Sequence, residues 1–149
     1  MQYHISRQTF TYNIETENWT KGPSLLTARA DHSSCAIPSE DGSIQYIIVT
    51  GGRTDQDSSS NSTEILNLKS GHKKWIQGPT LPCEIINAAC LALPLEKSIA
   101  CVLIGGWNSE DRPRRSSNVY GLSRSLTKWT FIGKIRLGRS DHIALPLSK

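Results

Sequence analysis

The side chains with the greatest chemical reach in this sequence are four histidines, four cysteines and an arginine cluster close to one tryptophan. His4, His32, His72 and His142 are widely separated. None sits in a His/Cys/Asp pattern with the spacing of metal ligands, so no metal site and no cofactor are expected. A nucleophile elbow, a glycine-rich phosphate loop and a His-Glu-x-x-His helix are all missing from the sequence, and a non-catalytic role is expected. Cys35, Cys83, Cys90 and Cys101 form no Cys-x-x-Cys pair. Three of them lie in or beside apolar runs, where a thiol acts as a small hydrophobe. Reduced cysteines and a cytoplasmic location are the corresponding expectations.

The residues that read best as a recognition surface are Trp107 and Asn108, followed by Arg112, Arg114 and Arg115. Tryptophan and arginine are favoured where proteins bind each other, because one buries a large flat area and the other offers a fork of donors. The net charge is only +4, yet the stretch from Lys97 to Lys149 holds ten Lys or Arg against three acids, Glu110, Asp111 and Asp141. A protein partner with an acidic segment would suit that charge. Nucleic acid is not expected, since no aromatic residues interleave with the basic cluster to stack bases. Nor is a membrane, because no apolar run approaches the length of a span.

The elements that position these residues are revealed by a repeat. Tyr46-Ile47-Ile48-Val49-Thr50-Gly51-Gly52 returns as Ala100-Cys101-Val102-Leu103-Ile104-Gly105-Gly106, with Gly51 and Gly105 54 positions apart. Each copy reads as a buried strand whose exit needs backbone freedom or close approach. Trp75 and Trp129 are also 54 apart, and Trp19 precedes Trp75 by 56; each follows a polar turn. Trp19-Thr20-Lys21-Gly22-Pro23 matches Trp75-Ile76-Gln77-Gly78-Pro79, and Arg29-Ala30-Asp31-His32 matches Arg139-Ser140-Asp141-His142. A period near fifty built on Gly-Gly and Trp is the signature of kelch blades.

On these residues the chain resembles the kelch-repeat β-propeller family over nearly its whole length. Leu68 and Leu122 depart from the pattern, standing where Tyr12 stands in the first copy. In the middle copy Glu84-Ile85-Ile86-Asn87 replaces the Arg-x-Asp-His element. The resemblance implies an all-β fold with blades of four antiparallel strands, a to d. It also implies a protein-protein interaction module, with a sugar-processing or oxidase-like propeller enzyme as the alternative. Trp19, Trp75, Trp129, Gly51, Gly52, Gly105, Gly106, Arg29, His32, Arg139 and His142 are expected to be structural. Strand parity puts the b–c and d–a loops on one face. That face would carry Arg53, Asp55, Asp57, Glu84, Trp107, Asn108, Arg112, Arg114 and Arg115 beside Arg29 and Arg139, and a partner would dock there.

The expected organisation is a single domain: a partial blade over 1–22, full blades over 23–78 and 79–133, and the first strand of a further blade over 134–149. Strands are expected at Thr9–Ile14, from Trp19 to Gly22, and at Ser33–Pro38, Ile44–Thr50, Thr63–Leu68, Lys73–Gln77, Asn87–Leu93, Ile99–Ile104, Ser117–Leu122, Lys128–Ile132 and Asp141–Leu147. About three blade equivalents cannot close a ring that needs four or more. Either two copies close a six-bladed ring head to tail, or the residues belong to a longer kelch chain. A four-residue hairpin at Pro94–Lys97 would set Cys90 directly opposite Cys101.

Overall fold

The structure is a computed structural model and describes residues 5–54, 58–71, 73–93, 98–108 and 114–146. Its elements are β1 (Phe10–Asn13), β2 (Asn18–Lys21), β3 (Ser33–Pro38), β4 (Ile44–Thr50), β5 (Thr63–Asn67), β6 (Trp75–Gln77), β7 (Ala89–Ala92), β8 (Ile99–Ile104), β9 (Asn118–Ser123) and β10 (Trp129–Lys134). β1 and β2 form an antiparallel hairpin; β3 to β6 and β7 to β10 form two four-stranded antiparallel sheets in sequence order. Each sheet is one blade, and the blades do not close into a ring. Among the described residues no helix is present that could cross a membrane.

The central strands β4 and β8 are the apolar repeat; each lies between two strands of its own sheet, and each buries one face against the other blade. Ile48 lies in register between Cys35 and Ile65. This face packs on the second blade, joining one core with Ile85, Cys101, Leu103, Tyr120, Leu122 and Trp129. The opposite face of the first blade carries Val49, Leu66 and Trp75 and packs on Leu25. Burying each such aliphatic side chain contributes about 1.5 to 3 kcal/mol, so the seams between blades dominate stability. The two blades come closest where β3 meets β7.

The tryptophans show the direction of stacking. Trp75 donates its indole N–H to the Pro23 carbonyl at 2.9 Å, and Trp129 donates to the Thr63 hydroxyl at 3.0 Å. Each ring therefore reaches back to the unit before its own blade. Trp19 occupies the equivalent place on β2 but is 67% exposed, with Tyr12 against it at 4.9 Å between ring centroids. The same geometry aims it away from the first blade, so it packs on its own hairpin rather than on a neighbouring blade.

Two expectations differ from the structure. Residues 141–146 carry no strand: Ile143 and Leu145 are exposed, because no second strand lies beside them to supply a ladder. Cys90 stands opposite Leu103, and Cys101 opposite Ala92. The ladder continues to Leu93, whose N–H donates to the Ala100 carbonyl at 2.8 Å, while the Ser98 carbonyl is taken by the Arg124 N–H. That shifts the pairing by two residues from the expected register, and the expected Pro94–Lys97 turn lies outside the described residues.

Candidate functional site

The ends of the blades that follow the glycine pairs are built twice to the same plan. After β4 the chain passes Gly51 and Gly52 to Arg53, which exchanges backbone hydrogen bonds with Ala30 at 2.7 and 3.0 Å and bridges to Ser59. After β8 it passes Gly105 and Gly106 to Trp107, which exchanges bonds with Ile86 at 2.7 and 3.1 Å and bridges to Arg115. The b–c loops and the d–a connections thus share one end of the molecule. The glycines are required there: Gly52 has φ +94°, and a β-carbon on it would meet the Ala30 carbonyl oxygen at 2.6 Å and the His32 β-carbon at 2.9 Å.

A second backbone device runs across the repeats. Asp31, Asn87 and Asp141 all adopt left-handed conformations, with φ of 54° to 56°. The Asn87 N–H donates to the Asp31 carbonyl at 2.9 Å, and the Asp141 N–H to the Asn87 carbonyl at 3.0 Å. Short polar side chains tolerate this region of backbone space better than branched ones. The middle copy, which lacks the Arg-x-Asp-His residues, therefore keeps their backbone through Asn87, with Ile85 in place of the arginine.

Arg29 and Arg139 have diverged. The Arg29 side chain is fully buried and donates to the Gly51 carbonyl at 2.6 Å, the Ser62 hydroxyl at 3.0 Å and the Glu64 carboxylate at 2.7 Å. Glu64, equally buried, also accepts from the Leu26 and Thr27 N–H groups at 2.6 and 3.0 Å. This one carboxylate ties the connection after β2 to the first blade. Sequence reading missed it; the only signal was a lone acid inside the apolar stretch Thr63–Leu68. Arg139 is exposed; its carbonyl accepts from Gly106 N–H at 2.8 Å, and its guanidinium reaches only the nearby Leu137 carbonyl, at 3.5 Å. His32 packs its β-carbon near Gly52, and His142 lies beside Gly105. Desolvation, reinforced by Arg29 and Arg139 respectively, lowers both imidazoles from their ordinary value; Asp31 and Glu64 oppose it at His32, and Asp141 at His142.

The recognition candidates fall into distinct environments. Trp107 is half-buried with the Arg114 guanidinium over its ring, 5.7 Å from the centroid, and Arg115 is exposed beside it. Arg53 is paired with Asp31 at 2.9 Å, both side chains partly exposed, and the exposed Glu84 accepts from the Ser59 hydroxyl at 2.6 Å. Asn108, expected to face a partner, is instead buried, its N–H donating to the Arg114 carbonyl at 2.9 Å. It closes the loop under Trp107. Asp55, Asp57 and Arg112 lie outside the described residues.

At the opposite end, the turn between β3 and β4 satisfies itself. Asp41 accepts from the Ser39 and Ser43 hydroxyls, from Lys69 at 2.9 Å and from the Ser43 N–H at 2.9 Å, which together hold its carboxyl well below the usual range.

With this geometry established, the relatives are informative. Kelch repeat protein M-T8 of Myxoma virus (strain Lausanne) is 34% identical over 140 residues, 94% of this chain. The repeat is a kelch repeat. The solved structure of YjhT superposes over 95% of the chain with a TM-score of 0.74 at 12% identity, which shows the fold: this chain matches part of a kelch propeller. No protein-family model matches the chain. The kelch homologue spans 25% of the length of the Myxoma protein and 42% of the YjhT chain.

One cluster brings together residues that the sequence keeps apart. Cys35 on β3, Cys90 on β7 and Cys101 on β8 place their sulfurs all within 4.8 Å of one another at the seam between the blades. They are free thiols. Sulfhydryl donation from Cys101 and Cys90 pulls the Cys35 thiol down; contacts with Cys101 and Cys35 push Cys90 up, and the contact with Cys35 pushes Cys101 up against the opposing pull of Cys90. The grouping follows from pleat and register. Cys90 and Cys101 are diagonal neighbours on the face of the second blade that meets the first, and Cys35 lies on the facing side. The sequence already brings Cys90 and Cys101 to one hairpin, but nothing in its spacing brings Cys35 to them.

Proposed function

We propose that this kelch chain is a non-catalytic protein-binding module that engages its partner through the b–c and d–a loops. The observation that carries the reading is the Trp107–Arg114 pair, 5.7 Å apart, set at the blade end where the backbone bridges hold Trp107 between Ile86 and Arg115. An aromatic ring fixed by its own backbone contributes area at little cost in conformational entropy, and its arginine can still meet a carboxylate. A partner with an acidic segment suits Arg114 and Arg115 better than the first blade, where Arg53 is already paired with Asp31. Cys35, Cys90 and Cys101 as free thiols support a reducing, cytoplasmic setting for this interaction.

The test is capture from a reducing extract with three baits: the unaltered chain, Trp107→Ala and Lys69→Ala, each first shown to be folded by circular dichroism. A specific partner should be retained by the unaltered chain and by Lys69→Ala, at the opposite end, and lost by Trp107→Ala. Equal retention by all three would place binding elsewhere and overturn the reading.

A further inference from the structure

We propose that Cys35, Cys90 and Cys101 form a three-thiolate site for one soft monovalent cation, copper(I), clamped between the two blades. A trigonal ion with metal–sulfur bonds of about 2.3 Å sets its sulfurs about 4 Å apart. The three sulfurs already lie within 4.8 Å of one another, so closing on an ion takes small side-chain rotations and no strand movement. Among the described residues no histidine, carboxylate or fourth thiol joins the group, and the Cys83 thiol is directed to the Tyr120 hydroxyl at 3.4 Å. Three soft donors without a fourth favour a low-coordinate soft ion over zinc, which takes four ligands in structural sites. The surroundings agree. Ile48, Leu103, Ala92 and Tyr46 belong to the core that holds the thiols, an apolar lining that keeps water from an ion held there. The Arg124 side chain, fixed by the Leu93 and Ile99 carbonyls at 2.5 and 3.0 Å, exerts its charge on Cys101 and offsets part of the negative charge of the thiolates.

The ligands come from β3 of one blade and from β7 and β8 of the next, so the ion would crosslink units otherwise joined by packing. The experiment is anaerobic titration of the reduced chain with copper(I) in competition with bathocuproine disulfonate, followed by X-ray absorption and thermal unfolding. One equivalent should be retained, the absorption spectrum should fit three sulfurs and no nitrogen or oxygen, and the melting temperature should rise. Cys35→Ser, Cys90→Ser and Cys101→Ser should each weaken binding by at least about a hundredfold, given that loss of outer-shell support alone costs about 10 to 100-fold. Cys83→Ser should bind as the unaltered chain does. The unaltered chain needs no folding control. Failure to compete with the chelator, a fit with two sulfurs, or displacement of copper by equimolar zinc would each overturn the assignment.

Discussion

Replacing Glu64 by Gln preserves shape and removes charge, and the structure says it should be among the costliest isosteric changes in the molecule. Three donors converge on this fully buried carboxylate: Arg29 at 2.7 Å, Leu26 N–H at 2.6 Å and Thr27 N–H at 3.0 Å. A hydrogen bond to a charged group contributes about 1.5 to 3 kcal/mol net, which sets a ceiling for three of them. A glutamine oxygen in the place of Oε1 can still accept from Arg29 and the Thr27 N–H, but its NH2 group must then face the Leu26 N–H, and the Arg29 charge is left in the interior without a counter-charge. Breaking one side of a buried pair costs about 3 to 5 kcal/mol, and that is the expected loss. Urea unfolding measures it from the shift in midpoint at constant slope. The double variant Arg29→Met/Glu64→Leu should recover part of the loss, because the uncompensated charge is gone, but not all of it, because the Leu26 and Thr27 N–H groups stay unsatisfied. A Glu64→Gln loss below about 1 kcal/mol, or a double variant worse than the two single losses added together, would show that the pair is hydrated and that the reasoning is mistaken.

Other outcomes follow from the same geometry. Trp129→Ala should cost about 3 to 5 kcal/mol in the same assay, since the ring is buried in the seam and its N–H reaches Thr63; a loss under about 1 kcal/mol would refute its packing role. Arg53→Ala removes a partly exposed pair with Asp31 and should change stability by less than about 1 kcal/mol, whereas a larger loss would mean the pair is shielded from solvent. Gly52→Ala combines a positive φ with a contact to the Ala30 carbonyl and should destabilise by more than the about 1 kcal/mol typical of point changes; a neutral result would contradict the close approach. By proton NMR, His142 should titrate below 6.5, its ordinary value, because desolvation opposes its charge and both ring nitrogens are buried without a hydrogen-bond partner among the described residues. A folded value below the unfolded one gives a contribution to stability that is present above pH 6.5 and is lost as pH falls through the folded value. A midpoint above 6.5 would reverse that sign.

What could be read from the sequence was whatever recurs with the repeat. Ser33–Pro38, Ile44–Thr50 and Ile99–Ile104 appear as strands with the expected limits; for the last two, an aliphatic run ended by a glycine pair states where the strand stops. The glycines themselves, Trp75 and Trp129 were legible for the same reason: each performs its job through a local geometry that one sequence copy shares with the next. The Cys90–Cys101 register was not legible. It depends on where the ladder beyond Leu93 stops, and that is decided by Arg124 N–H taking the Ser98 carbonyl from across β9, a contact between residues 26 positions apart.

The candidate site divides along the same line. Trp107 could be picked out because it follows a glycine pair, yet the burial of Asn108 one position later depends on the Arg114 carbonyl returning to meet its N–H, which no spacing encodes. The middle copy is the sharpest instance. By residue type, Glu84-Ile85-Ile86-Asn87 breaks the pattern of Arg29-Ala30-Asp31-His32; by backbone it does not, since Asn87 has the left-handed φ of Asp31 and Asp141 and bonds to both. What the repeat conserves at this place is a conformation that asparagine and aspartate share, while the arginine beside it is free to vary. It survives as a buried hub only in the copy where a carboxylate, Glu64, lies within reach. At position 85 an isoleucine fills the seam, and at position 139 the arginine side chain is left exposed. Divergence of these three side chains on one unchanged backbone gives the blade ends different surfaces, which the proposed binding role would use to tell one partner from another.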